Sequence, residues 1–397
     1  MKASHTIITY ILLWLLLGCS EPTTIPKAKI PKLVWQTFLA STGELTSSMN
    51  PVVGENIVIF SVTKGLDFQS PLKGYDKNTG EEKWFWTDIH PDSRAVGPLN
   101  FQYSYNGVLG YSTRGPVFGV EIESGNVLWT NTDYVDGRRE NKGFSNVLIN
   151  GFEEPQPGKE HKIHLGIADI EKGDWKIAVS LLGTEIWRPD ITDFTGQVLP
   201  GGDTVLYLTG TWYRPDSIIA TGFLKGWNIT ADTMLFDFEN IESAGYLQLH
   251  EDFLLDGGFS LRCYDRQTGV LRWQRNIPNG VGTSGVVITG DKVLVNDGDN
   301  FAQKLHLFDI ETGSRIWQSE VIETYSRLVV HKGVIYATGD RELKAINLED
   351  GKLLWSIPSP HAKTISGAFF APVVAIDPKT DRLFTSDYVY AMCYQLE

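Results

Sequence analysis

The sequence holds no apolar run long enough to cross a bilayer. The longest, from Ile7 to Leu17, falls well short of the roughly 20 residues that a spanning helix requires. No G-x-S-x-G elbow marks a nucleophilic serine and no glycine loop suits a phosphate, so neither a hydrolase nor a nucleotide enzyme is indicated. Basic residues are outnumbered, 35 Lys and Arg against 48 Asp and Glu, for a formal net charge of −13. With no basic stripe to follow a phosphate backbone, no nucleic-acid partner is expected, and the acidity favours solubility. Cysteine is scarce: Cys19, Cys263 and Cys393 are the only three, and no two are adjacent.

The N-terminus carries Lys2, the short apolar run and then Leu16-Leu17-Gly18-Cys19. This order predicts a secretion signal over residues 1–18. Its ending resembles the bacterial lipobox, and the resemblance implies cleavage before Cys19, a diacylglycerol on the thiol and acylation, as with palmitate, of the new amino terminus. Two or three acyl chains anchor stably where one is marginal. Ser20 in place of Asp implies, on the enterobacterial sorting pattern, a cell-envelope lipoprotein of the outer membrane, on its periplasmic or surface face. Residues 19–30 are poor in apolar side chains and include Pro22 and Pro26, as expected of a flexible tether. The folded body is placed at 31–397.

A repeat then dominates the chain. Asp76 to Thr79-Gly80 to Trp84, Asp265 to Thr268-Gly269 to Trp273, and Asp309 to Thr312-Gly313 to Trp317 share the spacing D-x-x-T-G-x-x-x-W. Looser copies run from Glu121 to Gly125 and Trp129, from Asn347 to Gly351 and Trp355, from Gly183 to Trp187, and from Asn228 through Asp232 to Phe236. Successive closing aromatics are 45, 58, 49, 37, 44 and 38 residues apart, room for four short strands and their turns. The segments between are β-branched runs bounded by Gly, Asn and Asp, which disfavours helical repeats. The acid is expected to hydrogen-bond its turn, the Gly to supply a positive φ, and the Trp to bury against an adjacent blade. An eighth unit is split between the termini. Cys393-Tyr394-Gln395 matches its start and Lys32-Leu33-Val34-Trp35 its finish, so pairing the two would close a ring and remove its open edge. The expected fold is all-β, an eight-bladed β-propeller of four-stranded antiparallel blades and a monomer.

Motif and period resemble the pyrroloquinoline-quinone-like repeat of the quinoprotein alcohol dehydrogenase-like superfamily. Together with the lipobox they resemble the lipoproteins of outer-membrane β-barrel assembly. The resemblance implies a non-enzymatic scaffold that binds envelope proteins. A first alternative is a quinone-dependent oxidoreductase, which would need pyrroloquinoline quinone and calcium in the central channel. Such enzymes typically show an adjacent cysteine pair, whereas Cys263 and Cys393 fall at equivalent positions three blades apart, beyond disulfide reach, and read as buried fillers. A second alternative is a glycan-binding propeller using some of the 12 Trp and 15 Tyr.

No metal site is expected. Asp297-Gly298-Asp299-Asn300 lacks the full calcium pattern and sits at a hairpin, and His161 and His164, three apart, read as a solvated loop. Binding is assigned to the connections that follow each closing aromatic, on the face opposite the motif turns. The candidate residues there are Arg94, Tyr134, Arg138, Arg139, Tyr325, Arg327 and Lys363, with Arg94 and Arg327 expected to point into the funnel. The stretch Asp133 to His164 reads as an insertion, and its part from Arg138 to Lys162 as an enlarged contact loop.

Overall fold

The computed structural model describes residues 29–39, 45–64, 71–86, 102–112, 116–132, 142–154, 162–183, 188–214, 220–242, 245–298 and 302–397. Their strands form eight antiparallel sheets, each ordered from a first strand to a fourth. Blade 1 spans Leu45–Ser48 to Glu82–Trp86, with Val52–Val53 as an extra pairing on its second strand. Blade 2 runs from Tyr103–Tyr105 to Val127–Asn131, and blade 3 from Lys142–Phe144 to Lys176–Leu182. Blade 4 has the longest strands, Arg188–Val198 to Thr233–Ile241. Blades 5, 6 and 7 end in Leu271–Asn276, Arg315–Val321 and Leu353–Pro358.

Blade 8 takes three strands from the C-terminus, Ala375–Asp377, Arg382–Ser386 and Tyr390–Gln395, and its outer strand, Lys32–Phe38, from the N-terminus. Lys32 pairs with Gln395 and Trp35 with Cys393, as the split repeat predicts. Lys29 and Glu397 add an exposed ion pair at 2.6 Å beyond the last ladder bond.

Burial follows position in the blade. Second and third strands are buried almost throughout, as in Val334–Gly339, because a blade covers both their faces with its neighbours. Fourth strands are mostly exposed, as Val127–Asn131 is with only Asn131 buried, and form the rim. The apolar core is divided among eight clusters, one in each seam between adjacent blades. Ile59, Leu109 and Phe118 join blades 1 and 2, Leu294 and Ile335 join blades 6 and 7, and Trp35, Val58 and Phe384 join blades 8 and 1.

The motif turns fasten these seams. In blade 5 the Asp265 carboxylate accepts the backbone N–H groups of Gln267 and Thr268, and the Gly269 N–H closes the turn on the Asp265 carbonyl. Asp76 and Asp309 cap their turns in the same way. The residue after the acid bonds twice. In all eight blades its N–H donates to the turn between that blade's first and second strands, as from Ile310 to the Asp291 carbonyl. Its carbonyl accepts the indole N–H of the preceding blade's Trp, at 3.1 Å for Trp35 to Lys77, 3.2 Å for Trp84 to Ile122, 2.8 Å for Trp129 to Ile170, 2.8 Å for Trp273 to Ile310 and 2.9 Å for Trp317 to Leu348. The seven Trp and Phe expected to pack between blades are therefore structural wherever they are described.

Three expectations need correction. The third motif copy is Asp169 to Gly173, not Gly183 to Trp187: Gly173 has φ +70° and lies beneath Trp129 as the other motif glycines lie beneath theirs. Its closing position holds Ile177, an exposed aliphatic residue, so a search for aromatics slid past it to Trp187, which lies outside the described residues. The stretch Asp133 to His164 is not an insertion over its described part, because Lys142–Phe144, Val147–Glu154 and Lys162–Asp169 are strands of blade 3. Nor is His164 in a solvated loop. It is buried in the third strand, with its Nδ1 2.7 Å from the Ser180 hydroxyl.

Candidate functional site

Strand direction fixes two faces. The motif turns and the turns between first and second strands lie on one, here the motif face. The connections from each outer strand to the next blade emerge on the opposite face, where the candidate residues were assigned. Of these, Tyr325, Arg327 and Lys363 are described, while Cys19, Arg94, Tyr134, Arg138 and Arg139 lie outside the described residues.

Tyr325 and Arg327 belong to the connection between blades 6 and 7. Its backbone is stapled down: the N–H groups of Tyr325 and Ser326 both donate to the Thr338 carbonyl, and the Ser284 hydroxyl donates to the Ser326 carbonyl at 2.6 Å. Tyr325 is left 40% exposed with its hydroxyl donating to Glu323 at 3.0 Å. Partial burial and that carboxylate push its pKa above the ordinary phenol value. Arg327 lines a cavity of about 680 Å³ between the first strands of blades 5, 6 and 7. Lys142 reaches the same cavity from blade 3, and Tyr246, His250 and Val330 line it from blades 5 and 7.

Lys363 stands on the next connection, from blade 7 to blade 8, and is exposed. A buried cluster holds that connection in place. Asp387 accepts the Ser359 hydroxyl and lies against His361 Nδ1, both at 2.6 Å, and His361 stacks on Tyr390 with ring centroids 4.0 Å apart. Arg341 lies over the Phe369 ring at 5.0 Å, tying the same connection to blade 7. The structure therefore brings Tyr325 and Lys363 to neighbouring connections, with Arg327 half-buried at the cavity.

Sequence reasoning missed a second periodic feature. Three residues before the motif acid stands a basic side chain in five blades: Lys73, Lys225, Arg262, His306 and Lys344. Counting back from each acid would have revealed them. Arg262, His306 and Lys344 are buried, and each has an internal partner: Asp256 at 3.3 Å, Asp297 at 3.5 Å and the Glu323 carbonyl at 3.0 Å. Burial lowers the pKa of His306 and of Lys344 from their ordinary values. These side chains fasten strands and connections from within the body.

A quinone site with calcium can be tested against the channel wall. Calcium requires about six to eight oxygen ligands, carboxylates foremost. The described lining of the cavity at Arg327 contains no Asp or Glu, and among the described residues no three of His, Cys, Asp and Glu converge as a metal site. Asp297, from the acidic stretch considered for calcium, is buried and accepts the Lys304 N–H, while Asp299 and Asn300 lie outside the described residues. Cys263 and Cys393 are unpaired, buried opposite Trp273 and Trp35, and burial pushes both thiols up to about 12. The described residues do not fit the group.

The fold is an eight-bladed β-propeller, and its motif resembles the pyrroloquinoline-quinone-like repeat. Residues 245–396, which make up blades 5 to 7 and the C-terminal strands of blade 8, match a family model described as outer membrane protein assembly factor BamB. The solved structure of BamB from Moraxella catarrhalis is similar over 92% of this chain and 100% of its own, with 11% identity and a TM-score of 0.58. The computationally designed protein Ika8 is similar over 92% and 100%, with 14% identity and a TM-score of 0.63. Sqt1 from Saccharomyces cerevisiae covers 92% and 99%, at 10% identity and 0.62. Such identities establish the fold alone. No curated protein sequence matches the chain significantly.

Proposed function

We propose that the chain is a non-enzymatic binding scaffold of the bacterial cell envelope, anchored by lipid on Cys19 and engaging envelope proteins through the face opposite the motif turns. The observation that carries this reading is the use of the motif itself. In the complete copies its acid, glycine and tryptophan all hold blades together, so what differs from one blade to the next, and can carry specificity, lies in the opposite connections. The family match over residues 245–396 supports a place in outer-membrane protein assembly. The hydrogen-bonded connections that carry Tyr325 and Lys363 support protein contact, since a preorganised loop loses less entropy on binding.

Two measurements on the protein produced in a bacterial host test the reading. An alkyne analogue of palmitate should label the membrane fraction of the wild type and be lost in Cys19→Ala. The purified chain given pyrroloquinoline quinone, calcium and an electron-accepting dye should leave the dye unreduced with alcohols. Quinone-dependent dye reduction would replace the scaffold reading with an oxidoreductase.

A further inference from the structure

The hairpins between each blade's second and third strands also lie on the face opposite the motif turns. Two of them hold bulky side chains where glycine would be easier. Blade 7 turns on Asp340 and Arg341 alone, between Gly339 and its partner Glu342, with φ +48° and +66°. A two-residue turn of this kind favours Asn-Gly, because glycine takes a positive φ without steric conflict. Blade 8 turns through Tyr388 at φ +68°, where a bulky residue is an outlier. Both side chains converge on one ring of the connection between the two blades. The Arg341 guanidinium lies 5.0 Å from the Phe369 centroid, and Tyr388 meets the same ring edge-on at 5.5 Å. The backbone beneath is fixed without them: the Phe370 N–H donates to the Arg341 carbonyl at 3.3 Å and the Ala371 N–H to the Ser386 carbonyl at 2.9 Å. Neither bond needs an arginine or a tyrosine side chain, so holding the connection does not account for the residues chosen.

Among the described residues the exposed Arg341 guanidinium has the Phe369 ring as its partner and makes no hydrogen bond or ion pair. Exposed Lys363 stands on the same connection, and residues 359–374 contain no acid. Asp387 is buried against Ser359 and His361, which leaves Asp340 as the exposed acid of the two hairpins. An arginine laid on a ring presents a planar fork of donors that matches a carboxylate in two parallel hydrogen bonds, with less side-chain freedom left to lose on binding. Strained backbone gathers at functional sites, and arginine and aromatic side chains dominate protein interfaces. We propose that Arg341, Phe369 and Tyr388 form a docking patch for a protein partner, in which the guanidinium takes a side-chain carboxylate and the two rings take the apolar residue next to it. This names the partner chemistry of the scaffold reading and rests on that reading for a protein ligand. Asp340 beside the fork suits a singly charged carboxylate and opposes a dianion such as phosphate.

Selection from a displayed library of random peptides tests the patch, with the purified full chain as bait and Arg341→Gly as counter-bait. Glycine suits the turn, so Arg341→Gly should unfold thermally at the wild-type temperature or above it, whereas a merely structural arginine predicts a fall. Peptides retained by the wild type alone should carry Asp or Glu next to a large apolar residue. One of them, made synthetically, should bind at least about tenfold more weakly to Arg341→Gly and to Arg341→Lys, which keeps the charge and loses the fork. Changing its acid to the amide should weaken binding to the wild type alike and add nothing in Arg341→Gly. Inorganic phosphate should displace it no better than sodium chloride of equal ionic strength. Wild-type-specific peptides without an acid, or acidic peptides that bind all three proteins equally, overturn the patch and leave the scaffold reading standing. Self-association of the wild type that is lost in Arg341→Gly would overturn it in favour of a second copy of the chain. Failure to enrich any peptide overturns the patch as a protein site. If polysaccharide gels then retard the wild type and not Arg341→Gly, the scaffold reading falls with it.

Discussion

Gly313 has φ +64°, and a methyl group built on it would meet the Trp273 ring at 2.5 Å. Gly333 has φ +77° with open space around it. Both substitutions to alanine carry the left-handed backbone penalty of about 1–2 kcal/mol, but only Gly313→Ala must also push an indole out of a seam. Denaturant unfolding should show Gly313→Ala less stable than Gly333→Ala by at least about 1 kcal/mol. A matching pair isolates the indole hydrogen bond. Trp273 donates to the Ile310 carbonyl, whereas the Trp355 indole N–H has no partner among the described residues, the Leu396 carbonyl in the matching position accepting the Gln395 side-chain amide at 3.2 Å instead. Replacing each by Phe should cost about 1 kcal/mol more at Trp273 than at Trp355, the usual net value of one buried hydrogen bond. Equal costs would mean that ring packing alone carries the seam.

Among whole blades, those with complete motifs were legible because several local signals agree in them: turn acid, glycine and aromatic at fixed spacing. Blade 4 was still readable through Asn228, Asp232 and Phe236. Asp232 takes the glycine's place with φ +49°, which aspartate tolerates better than most residues. Blade 3 was not, since Ile177 removed the aromatic on which the count relied, although Asp169 and Gly173 kept the turn. Its seam with blade 4 packs an apolar cluster that includes Ile149, Leu165 and Leu206, and a part-buried ion pair adds to it. Lys142 bonds Asp193, whose carboxylate also accepts the N–H groups of Phe194 and of Leu247 in blade 5 at 2.7 Å. No local pattern announces such a pair, because its members are 51 residues apart in sequence.

Asp256, behind this pair, has its pKa raised to about 6 by burial, which outweighs the opposing pull of the Gly245 N–H and of Arg262. A carboxyl raised in the folded state binds its proton there before the unfolded chain does. It therefore adds stability as pH falls from about 6 toward the ordinary value near 4, and above 6 its burial as an anion costs stability. Relative to Asp256→Asn, the wild type should gain stability on acidification from pH 7 to pH 4, read from thermal unfolding at each pH. A constant difference across that range would show that Asp256 is not so perturbed.

Across the whole molecule, ring closure was foreseen because Trp35 and Cys393 each carry half of a motif that is otherwise contiguous. The grouping of the motif turns with the turns between first and second strands was not, since which turns share a face is unknown until the strand directions are. Deleting residues 1–38 should expose the Tyr390–Gln395 edge and leave Trp35 missing from its seam. Size-exclusion chromatography with light scattering should then find oligomers or aggregates where the intact chain should run as a monomer. An intact monomer of unchanged thermal stability would show that the terminal strand is dispensable.

The central claim is that this propeller uses one face to hold itself together and the other to bind, and photocrosslinking in living cells tests it most directly. A photoreactive residue would replace Tyr325 or Lys363 on the opposite face, and Gln267 or Glu311 on the motif face, each in the full chain. Capture of a discrete envelope protein from Tyr325 or Lys363, and not from Gln267 or Glu311, is the predicted result. Capture from the motif face instead, or from none of the four with the chain folded and membrane-bound, would contradict it.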